Sequence, residues 1–294
     1  MNKNQDLPIF PISFSIPSEK IVDEVPKKKK LIAQIIPGDK ETYIFENEKD
    51  YYKDYQISYF AHTKKKGGYE CLRHLEILAN GCIPIFENIE DIPKNTMTHY
   101  PIDLLKKIYQ EDFMKKLDEE KYNYYSQKLL NFTKTNLTCL SMAKYVLQKT
   151  NHENISKVLY ISTGGPDYLR CLTLIGFKKL LGKHCYDFPN VSHIYKDYSG
   201  DVKKLYGSGI SYSKIIEKEN RICLNPTEIY NLIIQHYFDI VIYGSINRCS
   251  LFINLVKKVY LSHEIILLSG EDLNSPCILE KFPHNFKFKR ELSQ

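Results

Sequence analysis

The sequence predicts an α/β protein with two domains, each built on a parallel sheet, that face each other across a cleft. Short apolar runs alternate along the chain with stretches whose apolar residues recur at helical spacing, which is the order of a parallel, doubly wound sheet. The 294 residues are enough for two domains of ordinary size. The polar segment 151–154 separates two such series, so we predict one domain over residues 1–150 and a second over 151–294.

The composition favours a cytoplasmic protein without a transmembrane segment. Hydrophobic residues make up 43% of the chain, and no run approaches the ~20 apolar residues of a membrane span. The first residues, MNKNQDLPIF, lack the basic-then-apolar layout of a signal peptide. The eight cysteines are scattered singly, which favours reduced, buried thiols and predicts no bound metal.

The net charge of +6 does not indicate a nucleic-acid partner, because much of it comes from two lysine runs, 27–30 and 64–66. The first run ends an extended, proline-punctuated lead-in, and a solvated charge run explains it better than an anionic surface does. The abundance of Lys, Asn, Ile and Tyr without Trp is typical of AT-rich genomes, including viral ones. For a viral protein the compartment is the cytoplasm of the host cell.

Each predicted element follows from a local pattern. Strands come from short apolar runs, and helices from 3.6-residue periodicity bounded by capping residues. In chain order, the predictions are strands at 31–36 and 55–61, a helix from Tyr69 that ends before Gly81, a strand at 82–86, a loop with a short helix at 88–98, helical segments over 102–131, a helix capped by Asn136, a strand at 157–162, a helix at 167–181, a helix from Pro226 to about 238, a strand at 239–243, a helix at 250–260 and a strand at 264–269.

The stretch FAHTKKKGGYECLRHLEILANGCIPIF at 60–86 contains a strand end, a basic glycine loop, an amphipathic helix and a second strand. Opposite its leucine stripe, the helix has a polar face on which Glu70, Arg73 and Glu76 are neighbours. One interpretation of this face is a set of solvated ion pairs, which stabilise a helix by a few tenths of a kcal/mol. The other is a binding surface.

The residues before the helix favour the binding surface. The lysine run 64–66, Gly67 and Gly68 combine positive charge with a backbone that a ligand can approach closely, next to a helix N-terminus. Arg73 can hold a diphosphate by two parallel hydrogen bonds, and Glu76 can accept hydrogen bonds from ribose hydroxyls. This layout predicts a site for a nucleoside diphosphate.

The run GGYECLRHLEILANGCIPIF resembles the donor-binding half of GT-B glycosyltransferases, especially exostosin-like enzymes, whose helix has an arginine, a glutamate three residues later and then Gly-Cys-Ile-Pro-Val. The resemblance implies a nucleotide-sugar donor, with UDP- or GDP-sugars expected, and no metal or tightly bound cofactor. Arg73 would contact the donor diphosphate and Glu76 its ribose. The donor-binding residues implied are Lys64, Lys65, Lys66, Gly67, Gly68, Tyr69, Arg73 and Glu76. Gly68 departs from the pattern of many retaining enzymes, which have a glutamate at this position.

The runs KVLYISTGGPDYL and FDIVIYGS resemble the N-terminal, acceptor-side half of spore-maturation-type and viral glycosyltransferases. In GT-B enzymes that Rossmann-like half normally precedes the donor half, so the order here indicates a circular permutation. The tail HNFKFKREL would then lead into LPIFPISFSIP, and we expect residues 285–292 to pack near residues 8–17.

Ligands of such sheets bind beyond the carboxyl ends of the strands. This rule selects the loops 163–167, 244–248 and 270–272, of which no part has the G-x-G-x-x-G of a dinucleotide site. The residues assigned to the acceptor side are Gly164, Gly165, Gly244 and Ser245. Two catalytic candidates remain with alternatives: Asp167 is a helix cap or a general base, the cap being favoured, and His62 is structural or faces the sugar.

The function predicted from these patterns is transfer of a sugar from a nucleotide-diphosphate sugar to a hydroxyl of a glycan, lipid or protein. The alternative is a non-catalytic nucleotide- or glycan-binding protein that keeps the GT-B fold, and release of a nucleoside diphosphate separates the two. An epimerase on a similar sheet is a further alternative, although it would require a dinucleotide fingerprint.

Overall fold

A computed structural model describes residues 6–111, 116–163, 165, 167–273, 275–276 and 278–292, and in this part the chain forms two parallel sheets flanked by helices. The strands are β1 Ile9–Ile12, β2 Lys30–Ile32, β3 Ser58–Thr63, β4 Ile83–Phe86, β5 Val158–Ile161, β6 Cys185–Phe188, β7 Ile240–Tyr243, β8 Ile265–Ser269 and β9 Phe286–Arg290. The helices are α1 Glu48–Ile57, α2 Leu72–Ala79, α3 Ile102–Tyr109, α4 Glu119–Asn136, α5 Cys139–Thr150, α6 Tyr168–Leu181, α7 Pro226–Ile234 and α8 Ile253–Val259.

The larger sheet has the strand order β1-β9-β8-β7-β5-β6, and every neighbouring pair is parallel. Its central strands β5, β7 and β8 are entirely buried, as expected of apolar runs in a sheet covered on both faces. The smaller sheet has the order β2-β3-β4 and is also parallel. The predicted α/β class with parallel sheets is therefore confirmed.

We call β2–β4 with α1 and α2 (residues 30–86) the small lobe, and β1 and β5–β9 with α6–α8 the large lobe. The buried core runs through both, because Phe60 and Leu75 of the small lobe belong to the same apolar cluster as Leu172 and Ile242 of the large lobe. Helix α5 packs against α6 so closely that a Cβ on Gly176 would lie 2.0 Å from the Cys139 carbonyl oxygen.

The N-terminal segment belongs to the large lobe. Strand β1 pairs with β9, with Ile9 opposite Lys287, so the large sheet includes residues from both sides of the predicted division at residue 150. Residues 8–17 and 285–292 therefore lie together, as the permutation hypothesis requires. Because the two strands are parallel, however, the end of β9 and the start of β1 lie at opposite ends of the paired strands, and the tail does not continue directly into the lead-in.

Several elements differ from the sequence prediction. The strand predicted at 55–61 starts only at Ser58, since α1 continues through Ile57. Asn136 does not cap a helix: it is the last residue of α4, and Thr138 caps α5 by accepting a hydrogen bond from the Ser141 N–H (3.1 Å). Strands β1, β6 and β9 were not predicted, because proline, lysine or aspartate interrupts their apolar runs.

Among the described residues no helix is both long enough and apolar enough to cross a membrane.

Candidate ligand-binding cleft

A cavity of about 630 Å³ lies between the two lobes, a volume typical of small-molecule sites. The small lobe supplies one wall, which includes Ile35, Tyr43, Phe45, Tyr51, Arg73 and Glu76. The large lobe supplies the other, which includes Asp167, Tyr168, Tyr206, Arg248, Asp272 and Arg290. We call this cavity the cleft.

Helix α2 lies with its N-terminus at the cleft. All eight of its residues are buried, which excludes the interpretation of its polar face as solvated ion pairs. Its N-cap residue Cys71 makes no side-chain cap hydrogen bond, and Cys71, Leu72 and Arg73 line the cavity. The first backbone N–H groups of a helix lack intrahelical partners and carry partial positive charge, so this end of α2 favours an anion in the cleft.

Arg73 is held in the cleft wall with part of its guanidinium unpaired. It is 8% exposed, and its Nη2 donates a hydrogen bond to the Tyr43 hydroxyl (2.9 Å). Its Nε and Nη1 are buried and have no hydrogen-bond partner in the protein. Because native proteins pair nearly all buried polar groups, two unpaired nitrogens on a buried guanidinium indicate a place for an anion such as a phosphate.

Glu76 also lines the cleft, but both of its carboxylate oxygens already have protein partners. The Tyr51 hydroxyl donates to Oε2 (2.6 Å), and the Ser211 hydroxyl donates to Oε1. Burial raises the pKa of the carboxyl, and these hydrogen bonds oppose that shift. Each oxygen has a further lone pair, so the predicted contact with a ribose hydroxyl needs an oxygen shared with Tyr51 or Ser211.

The three lysines of the run 64–66 line two neighbouring cavities, and Lys66 lines both. Lys66 lines the cleft, as Gly67 and Gly68 do, whereas Lys64 and Lys65 line a second cavity of about 460 Å³. Gly68 is needed for close packing, since a Cβ there would lie 2.7 Å from Asp272 Oδ1 and closer still to Glu291.

Tyr69 lines neither of these two cavities. Its ring lies under Lys65 Nζ at 4.8 Å, and its carbonyl oxygen contacts His74 Nε2 at 2.9 Å. Tyr69 therefore supports the lysine loop and α2 from the side.

Asp167 lines the cleft on the large lobe and is the N-cap of α6. Its Oδ1 accepts a hydrogen bond from the Arg170 N–H (3.1 Å), which confirms the favoured capping interpretation. Its Oδ2 pairs with Arg248 Nη1 at 3.0 Å. Both oxygens are thus engaged, although Arg248 is half-exposed and can release its partner to a ligand.

Glu70 is a cleft residue whose setting the sequence did not reveal. Its Oε1 accepts a hydrogen bond from the Phe14 N–H (2.9 Å), while its Oε2 is buried without a hydrogen-bond partner, 4.0 Å from Arg290 Nη1. Burial raises the pKa of this carboxyl to about 8, and the nearby Arg290 guanidinium opposes the shift. A carboxyl that titrates near neutral pH is suited to proton transfer.

Arg290 explains the setting of Glu70. Its guanidinium is 4% exposed and pairs with Glu291 (2.7 Å) and with Asp272. Three carboxyl groups, including that of Glu70, thus surround one positive charge. The sequence showed Glu70 only as part of a helix face, because Arg290 and Glu291 lie more than 200 residues away along the chain.

The other predicted site residues do not meet in the cleft. His62 lies within β3 opposite Ile85 and is not part of the cleft wall. Gly244 packs on the Tyr160 ring, and the buried Ser245 hydroxyl has no partner, but neither residue lines the cavity. A Cβ added to Gly165 would have no atom of the described residues within 4 Å apart from its chain neighbours. Gly164 lies outside the described residues.

The loop 206–209 does reach the cleft, where Tyr206, Gly207 and Ser208 form part of the large-lobe wall. Gly207 and Ser208 both have positive φ angles, of 57° and 55°. This loop therefore contributes to the site.

The described ranges contain no group of three or more His, Cys, Asp or Glu side chains placed to hold a metal ion.

No protein-family model matches the chain, and no curated protein or solved structure matches it.

Proposed function

We propose that the protein is a glycosyltransferase that binds a nucleotide-diphosphate sugar in the cleft and transfers the sugar to an acceptor hydroxyl. The observation that carries the proposal is the pair of buried, unpartnered nitrogens of Arg73 beside the uncapped N-terminus of α2. Together they supply unpaired charged donors and a helix dipole in one part of the cavity wall. A diphosphate satisfies both.

The same arrangement supports catalysis as well as binding. Sugar transfer leaves negative charge on the diphosphate, and fixed donors in a site with little water stabilise such charge strongly. Arg73, the first turn of α2 and Lys66 are the groups that would do this. Glu76, held by Tyr51 and Ser211, would orient the ribose.

The acceptor would enter from the large lobe, whose loops beyond β5 and β8 form the opposite wall. Its hydroxyl must lose a proton during transfer with inversion, and Asp167 and Glu70 are the carboxyl groups we propose for this. Glu70 has the better geometry for the role, because its Oε2 has no hydrogen-bond partner and lies 4.0 Å from Arg290, whereas both oxygens of Asp167 are engaged more closely. A GT-B arrangement with its halves permuted fits this assignment of the two walls.

The alternative, a protein that binds a nucleotide without turnover, has one observation in its favour. The carboxyl groups of Glu76 and Asp167 are both committed to hydrogen bonds or ion pairs within the protein. Binding at Arg73 would survive such commitments, while chemistry would then rest on Glu70 alone.

The test is a thermal-shift and calorimetry screen of UDP-, GDP-, ADP- and CMP-linked sugars, with Arg73→Ala, Glu76→Gln and the control Arg221→Ala. Ligand binding to the folded state raises apparent stability, and loss of a charged, bidentate contact weakens binding by roughly tenfold to a hundredfold. We expect one nucleotide class to bind, Arg73→Ala to lose that affinity, and Arg221→Ala, whose side chain pairs with Asp197 away from the cleft, to keep it.

Release of nucleoside diphosphate from the responding sugar then separates the two functions. Turnover supports the transferase, and binding without turnover supports the alternative. If no nucleotide binds, or if Arg73→Ala binds as well as the parent protein, the proposed function is wrong.

A further inference from the structure

The second cavity, which we call the lysine cavity, lies next to the cleft. It has a volume of about 460 Å³ and is lined by Pro37, Gly38, Lys40, Tyr43, Lys64, Lys65 and Lys66. Four of its seven lining residues are lysines, and no acidic residue lines it. The cavity is therefore strongly positive, unlike the large-lobe wall of the cleft, where the carboxyl groups of Asp167, Glu271 and Asp272 accompany two arginines.

The lysine charges are not neutralised by the protein. Across the described ranges, none of these four ammonium groups forms an ion pair, although other lysines of the chain do. Lys65 Nζ instead lies over the Tyr69 ring (4.8 Å), and Lys66 Nζ lies 6.0 Å from the centre of the Tyr43 ring. Aromatic faces attract cations but do not cancel their mutual repulsion.

The backbone at Gly38 leaves room for the Lys64 ammonium group. Gly38 has a φ of +97°, and a Cβ at this position would lie 3.2 Å from Lys64 Nζ. A side chain here would be strained and would crowd the ammonium group. Gly38 thus leaves room for the Lys64 ammonium group beside the backbone of the cavity wall.

The lysine cavity and the Arg73 site are adjacent but distinct. Tyr43 and Lys66 line both cavities and form their common wall. The Tyr43 hydroxyl accepts the hydrogen bond of Arg73, while Lys64 and Lys65 line only the lysine cavity. A diphosphate held by Arg73 therefore leaves the charges of Lys40, Lys64 and Lys65 uncompensated.

We propose that the lysine cavity is a second anion site, separate from Arg73, which takes a phosphate group. Several ammonium groups that line one cavity without carboxylate partners are best neutralised by a compact, multiply charged anion, which phosphate is. This inference goes beyond the proposed function, since the donor diphosphate does not account for the second site. The phosphate is carried either by a second molecule, such as the acceptor, or by a further part of the nucleotide.

The experiment uses calorimetry with inorganic pyrophosphate as the probe, at a salt concentration of about 50 mM so that exposed charges are weakly screened. Pyrophosphate is titrated into the free protein and into protein saturated with UDP. The variants are Lys64→Ala/Lys65→Ala, Arg73→Ala and the matched control Lys27→Ala/Lys29→Ala, which removes two charges from the other lysine run.

We expect UDP-saturated protein to bind one pyrophosphate, and Lys64→Ala/Lys65→Ala to weaken that binding at least about tenfold. Arg73→Ala and the control pair should each change it by less than about threefold. Pyrophosphate binding that persists in UDP-saturated protein would assign the phosphate to a second molecule or to a part of the donor that UDP lacks. Full competition by UDP would place the UDP diphosphate in the lysine cavity and would overturn the second site.

The proposal is overturned if pyrophosphate does not bind, if Lys64→Ala/Lys65→Ala binds it like the parent protein, or if the control pair weakens it equally. Loss of all binding in Arg73→Ala would show a single shared site and would also overturn it. If no nucleotide binds, the proposed function fails, yet titration of the free protein and its Lys64→Ala/Lys65→Ala variant still decides this inference.

Discussion

Glu70 and Arg73 lie three residues apart, and each has polar atoms that are buried without a protein partner. An unpaired buried group costs roughly 1–3 kcal/mol of stability, so a fold retains such groups only where something else requires them. Both residues line the cleft, where the ligand that we propose would supply the missing partners. At the scale of single residues, these two therefore define the candidate site better than Asp167 and His62, the catalytic candidates of the sequence.

The raised pKa of Glu70 predicts a pH-dependent stability. Its pKa is about 8 in the folded protein against 4.5 for an ordinary glutamate, so between these pH values the folded state binds more protons than the unfolded state. The free energy of unfolding therefore falls as pH rises through this window, by up to about 1.4 kcal/mol per pH unit. We expect Glu70→Gln to flatten this dependence and to be the more stable form at about pH 8.

Urea unfolding at about pH 5.5, 7 and 8.5 measures the effect. Glu217→Gln is the control, since Glu217 pairs with Lys196 at the surface and should leave the slope unchanged. Parallel pH dependences of the parent protein and Glu70→Gln would show that Glu70 does not carry the raised pKa.

At the scale of elements, helix capping decides where α5 begins. The sequence predicts Asn136 as the cap, although Thr138, two residues later, is also a residue type that caps helices well. In the structure Asn136 ends α4, with its amide donating to the Phe132 carbonyl (3.1 Å), while Thr138 has the extended backbone of an N-cap. The chain turns between α4 and α5 at Leu137, whose carbonyl accepts a hydrogen bond from the Ile16 N–H (2.9 Å). Pairing with the N-terminal segment thus selects the later cap.

This difference predicts opposite results for two similar substitutions. Thr138→Ala should lower the free energy of unfolding by about 1 kcal/mol, because the Ser141 N–H loses its acceptor. Asn136→Ala, at an exposed position in the last turn of α4, should change stability by less than about 0.5 kcal/mol. Chemical unfolding of the two variants beside the parent protein is the measurement, and a larger loss in Asn136→Ala would contradict the capping assignment.

At the scale of the whole molecule, buried contacts join the lobes across the cleft. The Ser211 hydroxyl, from the large-lobe side, bonds to both Glu76 and the Tyr52 hydroxyl, and its N–H donates to Glu48 (2.7 Å). The apolar core also continues from one lobe to the other. Neither lobe can unfold without exposing part of this shared core to water.

We therefore expect one cooperative thermal unfolding transition in spite of the two sheets. Far-UV circular dichroism, near-UV circular dichroism of the tyrosines and calorimetry should give coincident transitions. Ser211→Ala should lower the midpoint of that single transition, because Glu76 Oε1 and the Tyr52 hydroxyl lose their partner. Two resolved transitions, or a shift confined to one of them, would show that the lobes unfold independently.

The sequence by itself determined the elements whose patterns are local. The buried strands β5, β7 and β8 and the capped helices α6 and α7 follow from apolar runs and from Asp167 and Asn225, because hydrophobic periodicity and capping depend on residues close together in the chain. Arg73 and Lys66 were likewise placed at the cleft by their position beside a helix N-terminus.

Only the tertiary structure decided which polar groups meet. Strand β1 joins β9 across almost the whole length of the chain, and the same contact brings Arg290 and Glu291 to Glu70. The burial of Glu70 and its raised pKa result from that contact. Desolvation and charge pairing act through space, so residues far apart in sequence set them.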